Sequence, residues 1–272
     1  MSTVEREHLD RVRSRFTRTA EEFARFALAT RADEAERLAR LAAPRGDELA
    51  LDLACGPGTF TRAFAARARF LYAVDLTPAM LAQARQAAAR AGITNLAFAC
   101  GDANSLPFAD SALGLAVCAY SFHHFFDPAR PARELSRVVR PGGRVALADI
   151  IVPAGADPAW NNRIERARDS SHAHTLTLAQ LRGLLEAAGL RVAATEIGER
   201  LRHFDDWMET IGCPPGTPAY AETRRLMEAS IPGDTAGFRP RVVPASPAGG
   251  GPTSQDRLEF VQTSAFVVAE KL

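Results

Sequence analysis

The stretch Leu49–Thr59, read Leu-Ala-Leu-Asp-Leu-Ala-Cys-Gly-Pro-Gly-Thr, constrains this chain more than any other. Its apolar run ends in a loop carrying Gly56 and Gly58, and Phe60–Arg67 then resumes with apolar residues at helical spacing. The order is strand, tight turn, helix. Glycine at such a turn lets backbone approach a ligand where a Cβ would collide, and the first turn of the helix presents free N–H groups there. The expected guest is a nucleotide-like cofactor.

What is missing narrows the choice. A dinucleotide fingerprint needs G-x-G-x-x-G, but Ala54 stands at its first glycine, and Phe60 and Thr61 fill the region of its third. No Gly-Lys-Ser/Thr ending marks a phosphate-cradling loop. The next apolar run, Phe70–Val74, ends in Asp75, at about the spacing from which an acid reaches ribose hydroxyls. A third, Leu96–Cys100, ends in Gly101-Asp102-Ala103. Carboxylates on consecutive strand ends fit a ligand with a ribose and an adenine amine.

Four elements then occur in order: Leu51–Gly58; Val74-Asp75-Leu76-Thr77-Pro78-Ala79-Met80; Gly101-Asp102-Ala103 with Leu106-Pro107-Phe108; and Arg140-Pro141-Gly142-Gly143. In these the chain resembles the class I S-adenosylmethionine-dependent methyltransferases, and more closely the small-molecule branch that contains the ubiquinone/menaquinone C-methyltransferases. The resemblance covers roughly Asp47 to Ile151. It implies S-adenosylmethionine as cofactor and S-adenosylhomocysteine as product. It also implies cofactor contacts from Ala54, Cys55, Gly56, Gly58, Asp75, Leu76, Met80, Gly101, Asp102, Ala103, Ala119 and His124. Asp52 would lie under the methionine moiety, and Phe16 and Phe23 would close over the pocket from the N-terminal segment. Leu106 and Phe108 would add an apolar wall. Each acid also has a plainer role available: Asp52 bonding turn amides, Asp75 capping the helix after Pro78, Asp102 holding an Asx-turn.

The remaining pattern fits that fold. Val4–Ala43 reads as helical, with Val12, Phe16, Ala20, Phe23, Ala27 and Leu38 recurring among Arg and Glu, either covering the sheet or forming a lid. Helices at Pro78–Ala91 and Pro131–Val139 alternate with strands at Leu113–Cys118 and Arg144–Ile151. Alternation of this kind means a doubly wound, Rossmann-like, mostly parallel sheet of seven strands with helices on both faces, binding its ligand at the carboxyl ends. Beyond it, Pro158–Arg168 and Thr177–Ala188 read as helices, and Leu190–Ile197 and Phe260–Ala269 as the sixth and seventh strands. The expected organisation is a helical cover (1–46), a cofactor-binding core (47–151) and a C-terminal half (152–272). An insertion at about 198–258 roofs the acceptor pocket. Its tail, Ile231–Ser254, is rich in Pro and Gly and reads as mobile.

His123 and His124 follow the fourth strand, where the acceptor meets the methyl group; each reads as a general base or as a wall. As metal ligands they are poor, because adjacent side chains diverge on an extended segment and no acid is spaced to join them. Asp169–His174 is a polar break that either reaches the acceptor site, through His172 and the neighbouring Arg168, or is a solvated connector. Trp207 and its aromatic neighbours favour an apolar or aromatic acceptor, methylated on O, C or N by direct displacement. With Lys+Arg 33 against Asp+Glu 32 the net charge is +1, so the basic footprint of a nucleic-acid binder is missing. Four scattered cysteines suggest neither zinc nor a disulfide framework. No apolar run approaches a membrane span and Met1–Arg6 has no signal core, so the expected location is cytoplasmic. Oligomeric state is open, a homodimer included. The competing readings are a cofactor-binding protein that transfers no methyl or has a regulatory role, a macromolecule methyltransferase, and a nicotinamide dehydrogenase.

Overall fold

A computed structural model of the chain describes residues 2–244 and 256–272. Five parallel strands form its centre: β1 (Leu49–Leu53), β2 (Phe70–Asp75), β3 (Leu96–Cys100), β4 (Leu113–Ala119) and β5 (Val139–Val152). β1 is hydrogen-bonded on both sides, to β2 and to β4. Its Ala50, Leu51 and Leu53 are at most 1% exposed, as expected of a strand covered on both faces. One face of the sheet packs Leu38, Phe64, Leu71 and Phe266 together, and the other packs Leu53, Leu113, Leu135 and Leu185.

Two long strands complete the sheet, β7 (Leu190–His203) and β9 (Arg257–Lys271), giving the order β3-β2-β1-β4-β5-β9-β7 with β9 antiparallel to both neighbours. The seven expected strands are present. Among the described residues two short ones join them, β6 (Leu176–Thr177) beside β5 and β8 (Arg241–Val243) beside β9. β7 is also longer than Leu190–Ile197. Pairing of β5 with β9 ends at Ile150↔Ser264, but β7 and β9 continue as a ribbon to His203↔Glu259. The segment between these two long strands therefore spans Phe204 to Asp256, since Gly198 and Leu258 themselves lie in β7 and β9. The first part of the Pro/Gly-rich tail is structured, with Ala236 and Phe238 buried against Trp207 and Phe260. Residues 245–254 of that expectation lie outside the described residues.

The N-terminal segment forms three helices rather than one: α1 (Thr3–Arg18), α2 (Ala20–Thr30) and α3 (Ala32–Ala42), broken at Thr19 and Arg31. α4 (Thr59–Ala65) and α5 (Pro78–Arg90) follow β1 and β2. α6 (Ala129–Val138) leads into β5, which begins at Val139 instead of Arg144 and passes through Pro141-Gly142-Gly143 with a register slip. A Cβ at Gly143 would come within 2.8 Å of the Gly114 carbonyl, so this passage needs glycine. α7 (Pro158–Arg168) and α8 (Leu178–Ala187) form as expected, α8 opened by a Thr177–Gln180 capping box. The excursion carries α9 (Phe204–Glu209) and α10 (Pro218–Ala229).

Glu48, at the entry to β1, accepts two bonds from Arg144 Nη2 at 2.5 and 2.6 Å and is fully buried. Removing one partner of such a pair strands the other charge. Glu48→Ala should cost about 3–5 kcal/mol of stability, read as a lowered urea midpoint.

Candidate active site

The loop after β1 turns through left-handed backbone at Ala54 (φ 54°), Gly56 (φ 53°) and Gly58 (φ 87°). Ala54 adopts the conformation that the dinucleotide pattern gives to glycine, at a cost of about 1–2 kcal/mol. Tyr120, at the end of β4, does the same with φ 53°. Such residues cluster where surrounding structure must impose a shape on a site. The loop is held by Asp75, whose Oδ2 accepts from the Gly56 amide and whose Oδ1 accepts from the Thr77 amide, both at 2.8 Å. Each oxygen keeps a lone pair. Thr77, not Asp75, is the N-cap residue of α5. Burial pushes the Asp75 pKa up, against the pull of those two amides. Asp102 makes its turn, accepting from the backbone and side-chain amides of Asn104 at 2.9 Å each.

These strand ends open into a cavity that the N-terminal helices cover. Phe16, Phe23, Ala54, Cys55, Gly56, Asp75, Leu76, Met80, Asp102, Ala103, Ala119, His123, His124 and His172 all line it, together with Arg168 and Trp207. Asp52, Gly58, Gly101, Leu106 and Phe108 are not in its lining. Asp52 is 1% exposed and accepts from Thr61 Oγ1 at 2.6 Å, bracing α4 from below. Gly58 caps α4 where a Cβ would crowd Ala84 at 3.2 Å, and a Cβ on Gly101 would meet Val74 at 2.9 Å. Leu106 is buried in the core, and Phe108 packs edge-on against Tyr72.

His123 and His124 sit on a single 3-10 turn, Phe122–His124, so their rings do not diverge; the centroids are 4.2 Å apart. The expectation of an extended segment fails because Ser121 starts a turn there, with the His124 amide bonded to its carbonyl. The His123 amide donates to Asp149 Oδ2 at 3.0 Å and its Nδ1 donates to Oδ1 at 2.6 Å, leaving Nε2 to accept. His124 Nδ1 donates to the Ser171 carbonyl at 3.0 Å, and burial together with the neighbouring His123 keeps its pKa well below that of free imidazole. His172 Nε2 donates to Asn162 Oδ1 at 2.9 Å; burial and the two other imidazoles hold it neutral as well. Its ring lies 5.7 Å from that of His123.

The connector after α7 is not solvated: Asp169, Ser171 and His172 are 5%, 0% and 5% exposed. Asp169 is charged there. Burial alone would raise its carboxyl, but Arg15 at 2.9 Å, with Arg168 and the Ser171 hydroxyl, holds it well below the usual carboxylate range. Sequence reasoning missed Asp149 and the cavity residues Arg15, Arg31, Glu165, Arg202 and Gln262. Asp149 had a readable signal, a lone acid inside the apolar run Val145–Val152. Among the described residues no three His, Cys, Asp or Glu side chains are grouped to hold a metal, and no helix is long and apolar enough to cross a membrane.

Burial pushes the Asp52 carboxyl from 3.8 up to about 7, against its Thr61 bond. The native state then holds this proton more tightly than the unfolded chain, so the contribution of Asp52 to stability falls as pH rises between those two values. In urea unfolding, wild type should lose stability relative to Asp52→Asn over that interval, with the difference level above it.

A methyltransferase-domain family profile matches residues 51–147. The methyltransferase YcgJ of Bacillus subtilis, itself uncharacterized, is 30% identical over 195 residues, which is 71% of this chain and 75% of that protein. The solved structure of YcgJ superposes with a TM-score of 0.76 over 88% of this chain and 98% of the other, at 24% identity. The ubiquinone/menaquinone C-methyltransferase UbiE of Roseobacter denitrificans is 34% identical over 110 residues, 39% of this chain and 44% of UbiE, so this chain spans less than half of that enzyme. Geranyl diphosphate methyltransferase, solved with S-adenosylmethionine, shares the fold at 15% identity, with a TM-score of 0.61 over 89% of this chain and 85% of the other. Strand order, glycine loop and relatives agree: this chain belongs to the class I S-adenosylmethionine-dependent methyltransferases.

Proposed function

We propose that this protein transfers the methyl group of S-adenosylmethionine to a small molecule with an apolar or aromatic body. The observation that carries the reading is the cavity itself, in which the glycine loop, Asp75 and Asp102 share one wall and aromatic side chains the other. The residues present fit this cofactor. Arg31 Nε and Thr59 Oγ1, both in cavity-lining residues, are buried polar atoms with no partner among the described residues. The Arg31 guanidinium lies 3.8 Å over the Tyr120 ring, beside the loop, and matches the charge of a methionine carboxylate. A Cβ built on Gly56 meets nothing within 4 Å, so the loop faces open space there.

When bound, the cofactor supplies an electrophilic methyl on a sulfonium whose sulfur is the leaving group. The protein holds and dries the reactants. Asp75 would hold the ribose hydroxyls on its remaining lone pairs, Leu76, Met80 and Ala103 would flank the adenine, and Asp102 would accept from its amine. Phe16 and Phe23, stacked edge-to-face 5.6 Å apart, close the top and exclude water. His123 Nε2 takes a proton from a hydroxyl or amine acceptor as the new bond forms, and Asp149 steadies the imidazolium.

Three measurements test this. S-adenosylmethionine and S-adenosylhomocysteine should raise the melting temperature by mass action while NAD does not, and Asp75→Ala should abolish the shift. His123→Ala should lower kcat by about 10²–10⁴-fold with S-adenosylhomocysteine affinity unchanged. Asp149→Asn, which leaves the imidazole without its anion, should lower kcat in the same way, again at constant cofactor affinity.

A further inference from the structure

Most charges in the cavity are accounted for. Arg15 pairs with Asp169 at 2.9 Å, Arg168 faces Glu165 at 3.9 Å, and Glu34, next to the cavity, meets Arg200 at 3.1 Å. Arg31 and Arg202 are different: among the described residues no carboxylate lies within 4.0 Å of either guanidinium. Both lie near the Phe26 ring, 5.9 and 5.2 Å from its centroid, so two like charges share one end of a covered cavity. Burial, with Arg31 next, pushes the Arg202 pKa down to about 9. Both residues are half-buried, and a ligand anion would give either guanidinium the contacting carboxylate it lacks.

The cofactor carboxylate answers for one guanidinium. Arg202 remains, with its Nε and Nη2 donating to Gln262 Oε1 at 3.3 and 3.1 Å. Gln262 is 7% exposed and lines the cavity. Because its oxygen is spent on Arg202, the amide has only N–H donors left to offer, and the guanidinium can offer nothing else. Glu34 and Glu165 lie near Arg202 but are engaged by Arg200 and Arg168, so the donors that Arg202 and the Gln262 amide present to the cavity are complementary to an oxyanion. We infer that the methyl acceptor carries a carboxylate or phosphate, seated on Arg202 and the Gln262 amide, while its apolar body lies against the cavity's aromatic side chains. This rests on the methyltransferase reading of the cavity and names the class of its second substrate.

The test uses the full chain saturated with S-adenosylhomocysteine, titrated by ligand-observed NMR with benzoate, phenyl phosphate and their neutral counterparts benzamide and benzyl alcohol. At least one anion should bind, about tenfold or more tightly than the neutral probes. Binding of benzoate alone marks a carboxylic acid acceptor, and binding of phenyl phosphate alone a phosphorylated one. Arg202→Gln should weaken the anion by about tenfold or more. Gln262→Glu, which supplies an internal counter-ion in nearly the same shape, should do likewise and carries the test if the arginine variant does not fold. Both are scored against retained S-adenosylhomocysteine affinity. Equal binding of acid and amide, anion binding indifferent to both substitutions, or no anion binding by protein that holds S-adenosylhomocysteine overturns the inference. Failure of wild type to bind S-adenosylhomocysteine is a separate result: it removes the cofactor reading, and this inference with it.

Discussion

Backbone pairing is the constraint on which the rest of the molecule depends. β1 is bonded to β2 on one side and β4 on the other, so its amides and carbonyls are committed along its length. Past its last residue the amides turn to other partners, Cys55 to the Val74 carbonyl, Gly56 to Asp75 and Gly58 to the Cys55 carbonyl, and that is where the glycine loop begins. Asp75 then closes the arrangement, since its two oxygens take one amide from the β1 loop and one from its own turn into α5. One carboxylate at the tip of β2 thus sets the shape of the neighbouring strand's loop. The binding wall is built by the same rule that builds the sheet.

The cover belongs to the same polar system. Arg15 on α1 reaches Asp169, the Ser171 hydroxyl donates to that carboxylate, and the Ser171 carbonyl accepts from His124. His8, also on α1, donates to the His124 carbonyl at 2.7 Å. Helix α1, the buried connector after α7 and the histidine turn are therefore joined by one run of an ion pair and hydrogen bonds. Such networks hold each member in a narrow range of positions when every group is satisfied.

The parts of this architecture that were legible in the sequence are those in which local pattern and tertiary role coincide. From Leu49 to Arg90, apolar period, glycine turn and the Pro78 helix start all point the same way, and β1, β2, α4 and α5 form within a few residues of their expected bounds. Fourteen of the residues expected at the site meet around one cavity: most follow adjacent strands of the sheet, while Phe16, Phe23 and His172 come from the N-terminal helices and the connector after α7. The failures share another cause. Arg15 and Arg31 look like the solvated side of an amphipathic helix, and Asp169 like a polar connector, until a partner distant in sequence buries them. Arg202 and Gln262 have no local signature at all. The alternation Glu199-Arg200-Leu201-Arg202 misleads, since this end of β7 exposes Leu201 and turns Arg200 and Arg202 to the half-buried face, the reverse of an apolar-in pattern. Asp52, Gly58 and Gly101 sit within the motifs but behind the cavity wall.

The β7–β9 ribbon beyond Ser264 separates the two ends of the cavity physically. Arg202 and Gln262 stand on the part that β5 does not pair, and Phe260, close by on β9, packs into the cluster formed by Trp207, Phe238 and Met227. The glycine loop, Asp75 and Asp102 stand instead on the central parallel strands. The far end of the ribbon and its small apolar nucleus can therefore be rebuilt without disturbing the backbone pairing that shapes the glycine loop.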